Sequence, residues 1–148
     1  MKETYCPIVP ELAALAERAG EVPPSVALDL LTQLYIASCG VSLGARSVAD
    51  YAAEYWVDRW RAEAPEEVPE GVECLYDVMA WRSAEYRARR EEIDRYDIVP
   101  LMSAECQRLC MAQVGETDDV RMQIALCAGA KAFIDFNNEI YGRTAPEA

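Results

Sequence analysis

Three groups of side chains in this sequence have the types and spacings that could carry chemistry. The first is Gly40-Val41-Ser42-Leu43-Gly44, a G-x-S-x-G pattern of the kind that presents a serine nucleophile. That chemistry needs an imidazole to take the serine proton, and the chain contains no histidine. The same absence closes off Cys–His nucleophile systems, His-containing zinc proteases and Glu-x-x-His di-iron bundles. A helix rather than a strand is expected before Gly40, so the pattern reads as a turn between helices.

The second group is the cysteines, at positions 6, 39, 74, 106, 110 and 127. Cys106 and Cys110 are four apart and share a helix face. No C-x-x-C pair is present, and most of the six fall inside helical patterns rich in Ala and Leu. They read as reduced core thiols rather than as disulfides or metal ligands.

The third group is acidic. Glu66-Glu67-x-x-Glu70 and Glu70-x-x-Glu73 precede Glu91-Glu92-x-Asp94, which contains E-x-x-D. Two carboxylate pairs on adjacent helices can hold Mg²⁺ ions against a nucleotide's phosphates. The pattern is similar to that of all-α nucleotide pyrophosphohydrolases of the MazG type, which pair E-E-x-x-E with E-x-x-D in a helical fold. The resemblance covers about thirty residues and implies Glu70, Glu73, Glu91 and Asp94 as Mg²⁺ ligands. It departs from that family where Pro65, Pro69 and Gly71 interrupt a motif that should sit in mid-helix.

The same carboxylates support a second reading. Glu63, Glu66, Glu67, Glu70, Glu73 and Asp77 form a run with no basic residue between Arg61 and Arg82. Trp56, Trp60, Tyr76 and Trp81 lie beside it, and aromatic anchors with a charged rim are what protein interfaces favour. Trp81 stands opposite the Met79 stripe of its helix, on a side that has no need to be buried. The formal net charge of −12 repels nucleic-acid backbone and attracts basic partners. The preferred reading is therefore a non-catalytic, cofactor-free interaction protein that meets a partner's basic surface through Glu63, Glu66, Glu67, Glu70, Glu73, Asp77 and Trp81. A concrete form is an inhibitor from a phage or mobile element, acting on a nucleic-acid-processing complex by steric block or nucleic-acid mimicry. It is similar to small acidic anti-CRISPR proteins in size, charge and lack of catalytic motifs, with no motif shared. A homodimer stays open.

These residues must be positioned by helices, since no stretch of four or more shows strand alternation. The expected architecture is an all-α, single-domain bundle of about six helices spanning residues 1–148. The first runs from about Pro10 to Ala19 and the second follows Pro23-Pro24 and ends near Cys39, before a loop from Gly40 to Arg46. Ser47, with Asp50 three residues on, opens the third, which stops at Pro65. On it Asp50, Glu54, Asp58 and Arg61 share a narrow polar wedge beside a broad apolar arc. The fourth runs from about Val72 to Tyr96, apolar in its first half and charged in its second. The fifth covers about Leu101 to Val114, and the sixth follows Asp119 to Tyr141. The second and sixth are apolar on nearly every side, which predicts that they are central. The stretch Met1–Cys6 has no apolar signal core, and no segment reaches the roughly 18 apolar residues of a bilayer span. A cytoplasmic location is expected.

Overall fold

A computed structural model describes residues 5–63, 68–96 and 98–141. Among them the chain forms seven α-helices and no strand. They are α1 (Pro10–Ala16), α2 (Pro24–Ser38), α3 (Leu43–Glu63), α4 (Leu75–Arg82), α5 (Ala84–Ile93), α6 (Ser103–Val114) and α7 (Val120–Ile140). A 3₁₀ turn at Ala19–Glu21 links the first two. Pro10 and Pro24 each open a helix at its first position, where a missing N–H costs no hydrogen bond.

The helix count is seven rather than six because the fourth predicted helix is two. Ser83 is extended (φ −103°, ψ 111°) and stands alone between α4 and α5. Its amide donates to the Met79 carbonyl, while its hydroxyl accepts from the Tyr86 amide, so it closes one helix and caps the next. Arg87 then donates to the exposed last carbonyls of α4, at Ala80 and Trp81. The break falls where the sequence changes from apolar to charged.

A second correction concerns the start of α3. Helix begins at Leu43, four residues before Ser47, and the Ser42 hydroxyl accepts from the Ala45 amide. Ser42 of the G-x-S-x-G pattern therefore serves the first turn of a helix. Gly40, at φ +77°, makes the turn before it, and a side chain there would meet the Tyr96 ring end at 3.1 Å. Ser47, expected to open the helix, is instead buried within it and accepts a hydrogen bond from the Val99 amide at 2.7 Å.

One continuous core joins the helices. Helix α7 packs on α1, α2, α3 and α6, and α3 packs on α2, α4, α6 and α7. The last helix is central as expected, and α3 shares that place with α2. The α3–α7 crossing is very close: a Cβ on Gly129 would lie 2.3–2.5 Å from the backbone and Cβ of Ala52. Trp56, only 1% exposed, spans the same contact and donates its indole N–H to the Ala125 carbonyl at 2.9 Å. All six cysteines are unbridged thiols; four are buried and Cys39 and Cys74 are half-buried. No helix among the described residues is long and apolar enough to cross a membrane.

Candidate functional site

The acidic run divides in the structure. Glu63 is exposed as the last residue of α3, and Glu70 and Glu73 are exposed on non-helical chain before α4. Glu66 and Glu67 lie outside the described residues. Asp77 is half-buried and locally engaged, accepting from the Glu73 amide at 3.0 Å and from the Cys74 thiol at 3.4 Å. Trp81, one turn after Asp77, is 39% exposed, with its ring 5.4 Å from that of Trp60.

Of the aromatic residues placed beside this run, Trp56 and Trp60 belong to the core and Tyr76 is half-buried. Only Trp81 reaches well into solvent. It also has basic neighbours: Arg82 lies over the Trp60 ring and pairs with Asp29, and Arg87 binds the Trp81 carbonyl. Arginine side chains therefore share this edge with the described carboxylates.

The residues of the Mg²⁺ alternative are scattered among different tasks. Glu70 and Glu73 sit on irregular chain rather than in mid-helix, and Glu91 is exposed on α5. Asp94 caps the end of α5, where it accepts from the Tyr86 hydroxyl at 3.1 Å and pairs with Arg90 at 3.4 Å. Among the described residues, no group of three or more His, Cys, Asp or Glu side chains is placed to hold a metal ion.

A groove that combines acid with aromatic surface lies elsewhere, between α3 and α7. It encloses about 320 Å³ and is walled by Tyr51, Tyr55, Phe133 and Phe136, with Glu54 and Asp58 on its rim. The Tyr51 and Phe133 rings stack in parallel at 4.8 Å, and Phe136 is 58% exposed. Arg59 lies over the Tyr55 ring at 4.7 Å.

Asp50, Glu54 and Asp58 follow one another up this side of α3, one helical turn apart. None of them makes an ion pair among the described residues, whereas eight basic–acidic contacts are made elsewhere. Partial burial, and then the Asp58 charge, raise the Glu54 carboxyl above the usual carboxylate range. Burial and then the Glu54 charge push Asp50 up to about 6, against the pull of Arg46. Like charges one turn apart destabilise a helix, so this column stores repulsion that a cation would relieve. The sequence shows the column as a polar wedge. Its proximity to Phe133 and Phe136 depends on the α3–α7 crossing, which no local pattern displays.

A second feature absent from the sequence reading is Arg46, in the first turns of α3. It is 2% exposed, with its guanidinium 4.6 Å above the Tyr35 ring. Nη2 donates to the Tyr35 hydroxyl at 2.6 Å, while Nε and Nη1 have no hydrogen-bond partner among the described residues. Tyr76 packs edge-on against Tyr35 at 5.7 Å. Burial raises the Tyr35 phenol strongly and the Tyr86 phenol to about 12, so both are neutral hydroxyls near neutral pH.

Comparison with known proteins adds no assignment. No family model, no curated protein and no solved structure matches this chain.

Proposed function

We propose that this chain is a non-catalytic interaction protein that seats an arginine- or lysine-bearing segment of a protein partner in the groove between α3 and α7. The observation that carries the reading is that Glu54 and Asp58, without an ion pair among the described residues and continued along α3 by Asp50, line a groove with an exposed aromatic wall. A basic side chain entering there would meet the Glu54 carboxyl, raised by partial burial and then by the Asp58 charge, and aromatic faces suited to a cation. The net charge of −12 favours such an encounter over long range and disfavours nucleic acid as the direct ligand. A protein with a basic nucleic-acid channel has the matching chemistry, and an acidic body seated there would exclude its substrate. The Trp81 edge, with Glu63, Glu70 and Glu73, is the other acidic surface and provides the internal control.

The test is a titration with an arginine-rich peptide, followed by calorimetry at two salt concentrations. Binding should weaken with salt, and the double reversal Glu54→Lys with Asp58→Lys should weaken it by more than about tenfold. The charge-matched pair Glu70→Lys with Glu73→Lys should cost clearly less. Equal losses would mean that only bulk charge is read, which defeats the groove. A larger loss from the second pair would move the contact to Trp81 and overturn this seat.

A further inference from the structure

Arg46 presents an electrostatic imbalance that the interaction surface does not explain. A guanidinium keeps its charge at any physiological pH, and burying one without a counter-ion is strongly unfavourable. Here the side chain is 2% exposed and has one hydrogen-bonding partner among the described residues, the neutral Tyr35 hydroxyl. Nε carries one N–H and Nη1 two, and neither nitrogen has a hydrogen-bond partner among the described residues.

Arg46 also lines a cleft of about 360 Å³, bounded by α3, α4, α5 and the chain after α5. Its other walls are the rings of Tyr76, Tyr86 and Tyr96 and the side chain of Ile98, with Arg90 and Asp94 also lining it. Asp94 is engaged by Arg90 and Tyr86, so it does not answer the charge on Arg46. Asp50, one turn along α3 from Arg46, forms no ion pair with it, and the Cys39 thiol is turned to the Ile93 carbonyl. Among the described residues the cleft therefore holds one positive charge without an ion pair, three aromatic walls and room for a single small molecule.

We infer that this cleft is a binding site for a small monocarboxylate with a flat apolar body, its carboxylate received by Arg46 and its body lying among Tyr76, Tyr86 and Tyr96. A single negative charge matches the one cation of the cleft that lacks an ion pair among the described residues. A phosphate dianion would bring a second charge toward Asp94, with no further unpaired base among the described lining residues to meet it. Three tyrosine rings favour an aromatic acid over a short aliphatic one. This site uses the residues of the α2–α5 end and stands independently of the groove between α3 and α7.

The experiment is an NMR titration of the intact protein with benzoate, acetate and inorganic phosphate, each to roughly 50 mM at constant ionic strength. Benzoate should give saturable shifts at Tyr76, Tyr86 and Tyr96, with acetate weaker and phosphate weaker still. Arg46→Gln should weaken benzoate by at least about tenfold, and Arg46→Lys, which keeps the charge, should weaken it less. If Arg46→Gln fails to fold, the residue map on the unaltered protein decides the question. Benzoate shifts that do not saturate or that lie away from these tyrosines, benzoate affinity unchanged by Arg46→Gln, or phosphate binding in preference to benzoate would each overturn the assignment.

Discussion

Helix α3 supports two regions that solve the problem of burial in opposite ways. Around Ala52 it meets α7 with nothing larger than a methyl group between the backbones, and Trp56 closes the contact with a satisfied indole N–H. Two turns earlier, around Arg46, the same helix encloses a charged side chain with two nitrogens unmet. The first region is close-packed, and its buried indole N–H is satisfied. The second keeps a polar cleft open within an otherwise ordinary core. The difference teaches that the tight crossing supplies the stability margin within which the Arg46 end can remain incomplete.

The sharpest way to break this contrast is Gly129→Val. Its Cβ would fall within 2.5 Å of Ala52, on backbone that cannot move independently of two central helices. Urea denaturation should show a loss of about 3 kcal/mol or more. A loss below about 1 kcal/mol would mean that the helices are not interlocked there.

A smaller effect should come from Asp50, between the two regions, whose carboxyl is raised to about 6 by burial and by Glu54. The folded protein then holds this proton at pH values where the unfolded chain has released it. Stability from this group is full below about pH 4, declines as pH rises through about 6, and is level beyond. Discounted for its contact with solvent, the change should be about 1–2 kcal/mol. Denaturation midpoints measured across that window should decline in the unaltered protein and flatten in Asp50→Asn. A rise instead would mean that Arg46 or another cation pairs with Asp50 in solution.

The smallest effect should come from the most drastic-looking change. Arg46→Met removes a buried charge that lacks a counter-ion, so the same denaturation assay should show no loss, or a gain of up to about 1 kcal/mol. A loss near 3 kcal/mol would show that the guanidinium is fully paired, and the contrast between the two ends of α3 would disappear.

The two regions also differ in how far they could be read from the residues. The apolar arc of α3 and the all-round apolar character of the last helix show directly in their spacing, and they place Trp56 and Ile124 inside. Arg46 did not show, because the sequence reading put it in a loop from Gly40 to Arg46, where a charged side chain reads as solvated. Four residues of error in a helix start changed its environment entirely. Ala45, Arg46, Ser47, Val48 and Ala49 are all buried in succession, so this turn is enclosed on every side and has no periodicity to betray it.

The groove was half legible for a similar reason. Its carboxylate column is a local property of α3, while its aromatic wall comes partly from α7, about eighty residues later. The acidic run was legible as composition, but how far each tryptophan reaches water is a tertiary property. Trp60 turned inward against the core and Trp81 rests on it. Ser83 did carry a signal: a hydroxyl residue ahead of Glu85 at the change from apolar to charged sequence, the chemistry of a helix start.

The sheltered sulfur atoms have a practical corollary. Burial raises the Cys39 and Cys74 thiols, the hydrogen bond with Cys127 and then burial raise Cys110, and Cys6, Cys106 and Cys127 are buried, so the native six are poorly placed to react. A cysteine introduced at an exposed site such as Ala88 would be the fastest nucleophile on the molecule. Dyes, spin labels or cross-linkers could then be attached at one chosen point with the native six left in place.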